Sequence, residues 1–398
     1  MADSLSLRHR LWRRLPAGAR RAALRRAAAF LAPVADANPP ARSSGLVVGG
    51  EFSQATGLGE AARILQAACE TIGVSRGLLP LSIGGRRGPT PPAGAALLLT
   101  VNAPSLPLML ARAPKQLLRG RRVAASMAWE LPAAPAEWRF AARYVHEIWA
   151  CSAFTAAALE PVLPGRVRVV PYPLAMLAAP APALARTDFG LPADAVVTLV
   201  IFSLGSSFTR KNPLAAIAAF RAAFGDRPDQ LLVLKFSGEA AFPAEAAAIR
   251  AAAGAANIRV FSGSWDAARI AGLLASADIV LSLHRAEGLG LVPAQAMLRG
   301  IPVVATGWSG NMQFMDATSA ACVAYRLIPV EDPSGVYGKI PGAVWAEPEV
   351  ADAAAQLRRL GDDPAWRLAL GQAGRAHAQA ALGGAELRAA LAANGITA

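Results

Sequence analysis

Short apolar runs followed by helical stretches, repeated along most of the chain and restarted once after a proline- and alanine-rich interruption, constrain this sequence more than any other feature. In the first series the patterning predicts strands at Leu46–Val48, Ala96–Val101, Arg122–Met127, Glu147–Ala150 and Val167–Val170, with helices over Gly59–Ile72, Glu137–Tyr144 and Ala153–Leu159. Pro171–Ala185 breaks the pattern. The second series has strands at Val196–Phe202, Leu231–Phe236, Ile258–Phe261, Ile279–Leu283 and Val303–Ala305, with helices at Pro213–Phe224, Ala244–Ala253, Ala267–Ser276 and Pro293–Arg299. Strand-then-helix order builds a parallel sheet with helices on both faces, so the fold class is α/β with two Rossmann-like units. Two such units joined by a hinge leave a cleft between the carboxyl ends of their strands, where ligands of open α/β sheets bind.

Composition narrows the classes. With 54% hydrophobic and 17% charged residues, the 398-residue chain has ample apolar surface to offset ordering entropy, which excludes wholesale disorder. Arg, Pro or Gly interrupts every long apolar run before it reaches the roughly 18–20 residues of a membrane span, which excludes a polytopic membrane protein. The net charge of +13 is uneven: residues 1–35 hold eight arginines against Asp3, a net +7, and the other 363 residues carry +6. Basic groups are not interleaved with aromatics along the body, so nucleic acid is not the expected partner. Leu7, Leu11 and Leu15, then Leu24, Ala28 and Leu31 after Pro16, describe two short basic amphipathic helices. Such an arm suits an anionic inner leaflet, where each Arg contributes about 1 kcal/mol, or else is a solvated extension, with a nucleic-acid contact through the arm as a distant third reading. Residues 36–44 read as a linker.

Cys69, Cys151 and Cys322 are widely spaced without a CxxC, and His9, His146, His284 and His377 are scattered. Neither a disulfide framework nor a zinc site is expected, and the sparse cysteines fit a reducing compartment. No uninterrupted apolar segment follows the N-terminal arginines, so a cleaved secretory signal is not expected and the chain reads as cytoplasmic.

Four loops carry the chemistry. Gly49 to Glu60, with Gly57 and Gly59, joins a strand to a helix, an arrangement that lets backbone approach a phosphate. Asn102 and Glu130 each follow a strand at its carboxyl end, Glu130 beside Trp129, which can wall a pocket; His146, at a helix-to-strand junction, reads as structural. Thr209-Arg210-Lys211-Asn212-Pro213 precedes a helix, with Asn212 placed as N-cap. Lys211 and Lys235 are two of only four lysines in an arginine-dominated chain, and adjacent cations at a helix start suit a diphosphate. His284 to Met297 then sets Glu287 in a glycine loop with Gly288 and Gly290, places Gln295 eight residues on, and is followed by Gly300 to Asn311.

Glu287, Gln295, Ala296-Met297 and Gly300 to Thr306 resemble the signature of the retaining glycosyltransferases of family 4. That signature has a Glu, seven residues, a second Glu, then Ala-Met and a Gly-x-Pro-Val-Val-Ala-Thr strand. Gly57 to Arg63, Trp129 to Leu131, Glu147 to Ser152, Arg210 to Pro213, Ser309 to Asn311 and Trp345 to Pro348 are similar, in the same order, to a bacterial branch of that family. The resemblance covers about residues 45–365 and implies a GT-B fold, two Rossmann-like domains facing each other across a cleft with C-terminal helices. The division it implies is a basic arm over 1–35, a linker over 36–44, an acceptor-side domain over 45–185, a nucleotide-sugar-binding domain over 186–360 and C-terminal helices over 361–398.

The resemblance implies transfer of a sugar, of hexosyl type, from a nucleotide-sugar donor to a glycan or lipid-linked acceptor with retained anomeric configuration. The setting would be cell-envelope or exopolysaccharide synthesis, on the inner face of the plasma membrane, with no bound metal or other cofactor. By the same resemblance Arg210 and Lys211 meet the donor diphosphate and Glu287 contacts the donor sugar or holds its loop. Gly57, Gly59, Lys235, Gly288, Gly290 and Gln295 belong to donor binding, and Ser309, Gly310 and Asn311 line the sugar pocket. Asn102 and Trp129 stand on the acceptor side, and Glu130 is the first side chain to test as a base. Gln295 departs from the family's ribose-binding Glu, which removes a bidentate carboxylate grip, and Ser203 to Ser206 fills the place where many members carry an additional Arg. Both departures leave a non-catalytic nucleotide-binding or scaffold protein of the same fold as the alternative.

Overall fold

The structure, a computed structural model, describes residues 17–54, 56–81, 90–177, 184–333, 335, 337 and 340–398. The first predicted arm helix, with Leu7, Leu11 and Leu15, lies outside the described residues. The second forms, as a helix over Ala17–Leu31. Its docking differs from the expected Leu24-Ala28-Leu31 stripe: small Ala28 and Ala32 are buried, whereas Leu24, Leu31 and Phe30 are 53%, 50% and 85% exposed. The helix packs against the short helix Leu106–Leu110, and its larger apolar groups face outward.

Strand β1 (Ser43–Ser44) lies in the segment read as a linker, and β2 (Leu46–Gly50), β3 (Ser75–Pro80), β4 (Ala96–Thr100), β5 (Val123–Met127), β6 (Glu147–Ala150) and β7 (Val167–Val169) follow. The last six form one parallel sheet in the order β3-β2-β4-β5-β6-β7. The central strands β2, β4 and β5 are buried at every position, which is why they read as continuous apolar runs rather than alternating ones. Sequence reading missed β3, an edge strand whose pattern is mostly exposed and carries no apolar signature. The helix Gly57–Ile72 starts where Thr56 Oγ1 accepts from the Gly59 N–H and stops at left-handed Gly73. The predicted helix over Glu137–Tyr144 is instead a 3-10 run, Ala136–Arg143, capped by Tyr144, and Trp138, Ala141 and Tyr144 are buried at intervals of three. Three residues per turn bring those side chains onto one line, as 3.6 would not.

The second unit contains β8 (Val196–Ser203), β9 (Gln230–Ser237), β10 (Ile258–Phe261), β11 (Ile279–Ser282), β12 (Val303–Thr306) and β13 (Ala321–Val323), parallel in the order β10-β9-β8-β11-β12-β13. A separate antiparallel hairpin, β14 (Tyr325–Pro329) and β15 (Val344–Pro348), was not foreseen. Helices Pro364–Ala381 and Ala385–Ala393 then return the chain to the first unit, and β16 (Ile396–Thr397) pairs in parallel with β1. Asn394 donates to Glu147 Oε2 at 2.5 Å and accepts from Arg122 at 3.1 Å. One apolar core joins Leu46, Ile64 and Leu65 to Val197, Leu273 and Met297 and to Leu387 and Leu391, so both sheets and the terminal helix share it.

In each sheet the strand order reverses beside the first strand, between β2 and β4 and between β8 and β11. Loops leaving those neighbours diverge and open a crevice. The two crevices face one another.

Candidate active site

Between the sheets lies a cleft of about 1220 Å³. After β8 the chain makes a tight turn into the short helix Phe208–Lys211. Ser207 takes φ +67°, and its hydroxyl accepts from the Arg210 N–H at 3.3 Å and donates to Asp332 Oδ1 at 3.1 Å. Asn212, expected to cap the next helix with its side chain, makes no such bond; it is left-handed at φ +50° and spends its N–H on Phe208 O. That reversal turns Arg210 and Lys211 into the cleft.

Arg210 is almost wholly buried. It donates to Ala286 O at 2.7 Å and Ser206 O at 2.9 Å, lies 3.3 Å from Glu287 Oε2, and leaves its buried Nε without a partner among the described residues. Lys211 Nζ meets Glu287 Oε1 at 2.5 Å. Burial alone would raise the Glu287 carboxyl, but Lys211 and Arg210 overcome it and hold the group at about 2. Burial lowers Lys211 despite the opposing pull of Glu287. The trio therefore carries one net positive charge in a desolvated place, where it acts strongly on an arriving anion.

The Glu287 loop is fixed from behind. Ser309 Oγ accepts from the Glu287 N–H at 2.8 Å, and the Gly310 N–H donates to Glu287 O at 2.9 Å. A Cβ on Gly310 would stand 1.9 Å from Gly288 O, so only glycine permits this approach. His284, fully buried, bridges Ser282 Oγ at 3.0 Å and Asn311 Oδ1 at 2.9 Å, while Asn311 Nδ2 donates to Thr306 O. Ser309, Gly310 and Asn311 were expected on the wall of the sugar pocket. They instead back the Glu287 loop and do not line the cleft, because their polar groups are used up in holding it.

The opposite wall comes from the first unit. Asn102 and Glu130 follow β4 and β5 and both line the cleft; Asn102 Oδ1 accepts from the Ala128 N–H at 3.0 Å, tying the two loops together. Burial raises the Glu130 carboxyl, Arg210 and Lys211 oppose this, and Glu287 adds to the rise. A carboxyl moved toward neutrality suits proton transfer. Trp129 stands at the wall with its indole N–H on Ala133 O. Gly57 lines the cleft, while Gly59 does not: a Cβ there would meet Gln54 O at 2.3 Å, so its role is to let the loop fold against its own helix. Gly288 crosses between the units. Its carbonyl accepts from Ser152 Oγ at 2.6 Å and Cys151 Sγ at 3.3 Å, and a Cβ there would meet Ala128 at 3.2 Å. His146, read as structural, joins Val123 N–H to Asp36 O.

Deeper in the second unit, Lys235 is buried at the end of β9. Its ammonium donates to Phe236 O and Gly263 O and lies 4.8 Å from the Trp265 ring; burial, then Arg269, lowers it to about 8. Gly290, left-handed at φ +93°, starts the helix Leu291–Leu298, two residues before the predicted start, and Gln295 on that helix lines the cleft. The structure thus gathers Arg210, Lys211, Glu287, Gly288 and Glu130 at one place, with Lys235 and Gln295 along the same cleft. Sequence reading missed Ser207, the bracing role of His284, and Tyr337, which also lines the cleft. Tyr337 sits in an aperiodic Gly- and Pro-rich loop that offers no local signal. Among the described residues no group of three or more His, Cys, Asp or Glu side chains is placed to hold a metal ion.

Solved structures with the same architecture include a glycosyltransferase from Rickettsia africae, with TM-score 0.64 and 11% identity over 88% of this chain and 98% of that one. Anabaena HepE, determined with UDP and glucose, gives 0.57 and 14% over 87% and 98%. A mutant of Staphylococcus aureus TarM, determined with fondaparinux, α-GlcNAc-glycerol and UDP, gives 0.53 and 12% over 76% of this chain, which spans only 55% of TarM. At these identities the likeness is one of GT-B fold. No curated protein sequence matches the chain. The family model described as family 4 glycosyltransferase in conflict systems matches residues 178–397, more than half of the chain and all of the loops that hold Arg210, Lys211 and Glu287. The chain is therefore a glycosyltransferase, a member of family 4.

Proposed function

We propose that this glycosyltransferase transfers a sugar from a nucleoside diphosphate sugar to a glycan or lipid-linked acceptor with retained configuration, in cell-envelope or exopolysaccharide synthesis. The observation that carries the reading is the buried Arg210 Nε, without a partner among the described residues, beside Lys211 at the cleft wall. A buried donor of this kind is costly unless an acceptor meets it, and for a guanidinium an anionic oxygen is the strongest. The neighbours determined with UDP point to a donor of the same class.

In the proposed step the bond from the anomeric carbon to the diphosphate oxygen breaks and a bond to the acceptor oxygen forms. The acceptor proton passes to the departing diphosphate, directly or through Glu130. Arg210 and Lys211 meet the charge that develops on the leaving group, the contribution such a reaction most needs, and no metal is part of the proposal. Gln295, though neutral, keeps one acceptor for a ribose hydroxyl. Screening UDP-, GDP-, ADP- and dTDP-sugars for saturable binding and slow donor hydrolysis tests the reading. At least one donor is expected to bind and turn over; no binding by any would remove the donor assignment, and binding without turnover would favour a scaffold.

The arm belongs to the same proposal. Exposed Leu24, Phe30 and Leu31 on a docked helix, within a segment rich in arginine, suit an anionic bilayer surface at the inner face of the plasma membrane. Among the described residues no helix is long and apolar enough to cross a membrane. Replacing Leu24, Phe30 and Leu31 together by Ser is expected to reduce sedimentation with phosphatidylglycerol vesicles about tenfold or more; equal partition of variant and wild type rejects the contact.

A further inference from the structure

We propose that Tyr337, carried into the cleft by the β14–β15 hairpin, is a further catalytic residue whose hydroxyl donates a hydrogen bond to the diphosphate of the donor. This rests on the donor reading above. The hairpin stands apart from the six-stranded sheet of its unit, yet both of its ends are tied to the loops that hold Arg210 and Glu287. Arg285, two residues before Glu287, donates to Glu347 Oε2 at 2.5 Å on β15 and to Thr209 O at 2.5 Å, and Arg285 O accepts from the Ala346 N–H at 2.9 Å. At the other end Asp332 accepts from Ser207 Oγ in the turn before Arg210, and from the Tyr337 N–H at 3.4 Å.

Held this way, the Tyr337 ring packs edge-on between Trp129 of the first unit, at 5.6 Å and 61°, and Trp345 of its own hairpin, at 6.2 Å and 80°. The residue is 4% exposed and lines the cleft. Two edge-to-face contacts satisfy the ring, and a phenylalanine would make both. The hydroxyl makes no hydrogen bond to a described residue, and because the residue lines the cleft an arriving group can take one from it. Burial, together with Glu130, keeps the phenol protonated far above neutral pH, although Arg210 opposes the rise. A phenol that remains a donor, lining the same cleft as a guanidinium whose Nε has no partner among the described residues, suits an anionic oxygen.

Tyr337→Phe keeps both ring contacts and removes only the hydroxyl. With UDP, GDP, ADP and dTDP as probes, and the corresponding nucleosides as controls, binding is read by tryptophan fluorescence. The variant is expected to bind the preferred diphosphate about 10- to 100-fold more weakly than wild type, with nucleoside affinity within about twofold. Donor hydrolysis is expected to fall by at least the same factor. Tyr337→Met, which fills the space between the tryptophans without a hydroxyl, must give the same selective loss and serves if the Phe variant does not fold. Diphosphate affinity within about twofold of wild type, or equal weakening of diphosphate and nucleoside, overturns the proposal alone. Failure of the wild type to bind any of the four diphosphates overturns it together with the donor reading.

Discussion

Lys211→Ala is expected to lower donor turnover by about 10²–10³-fold, with donor affinity falling much less. The magnitude is that of losing one fixed donor to the charge that forms as a leaving group departs. Lys211 is placed for this by the left-handed turn at Asn212, and its ammonium is oriented by Glu287 at 2.5 Å. The pH profile should change as well. With Lys211 gone, the Glu287 carboxyl loses its first opposing charge against the pull of burial and rises from about 2 toward the ordinary range. The acid limb of the profile therefore moves to higher pH in the variant. Hydrolysis of the preferred donor, measured between about pH 4 and 9, checks both results, the range spanning ordinary carboxylate and imidazole titration. A loss below about tenfold would remove Lys211 from the chemistry.

Glu287→Gln is expected to destabilise the protein by about 3–5 kcal/mol near neutral pH, because it leaves buried Arg210 and half-buried Lys211 without their counter-charge. The amide preserves shape, so the loss is electrostatic. The wild-type carboxyl is depressed from 4.5 to about 2 in the folded protein. Its contribution is therefore fully present above about pH 4.5 and fades as pH falls toward about 2. The difference between wild type and variant in urea denaturation should be large at neutral pH and shrink in the acid range. A diphosphate supplies the missing charge to the same two cations, so UDP or GDP should protect the variant at least as strongly as the wild type, provided it is the nucleotide that binds. A neutral-pH loss under about 1 kcal/mol would contradict the assigned role of Glu287 as counter-ion.

Much of the scaffold was legible because local burial writes itself into local sequence. The strands β2, β4, β5, β8 and β9 are covered on both faces and appear as largely apolar runs. The edge strands β7 and β10 were still readable from their valines, isoleucine and phenylalanine, whereas β3 is mostly exposed, opens on Ser-Arg-Gly and was invisible for that reason. At the site, Arg210, Lys211 and Glu287 were readable because each lies shortly after a strand in a loop of distinctive composition. Ser309 and Asn311 were readable as important but not as to what they do. Their side chains could equally have pointed into the cleft, and hydrogen bonds to Glu287, His284 and Thr306 decide that they do not. Tyr337 left no trace at all.

By itself the sequence determined the two α/β series, the loops that carry the charges, and the separation of the +13 into an arginine-rich arm and a sparsely charged body. Each of these follows from periodicity or composition over a few neighbouring residues. Only the tertiary structure decided that the Glu287 loop is clamped between the units by Ser152 and Gly310, that Tyr337 reaches the cleft beside Arg210, and that Leu24, Phe30 and Leu31 face outward. The physical reason is distance along the chain. Ser152 reaches Gly288 across 136 residues and Ser207 reaches Asp332 across 125, and no local pattern encodes which distant loop will arrive.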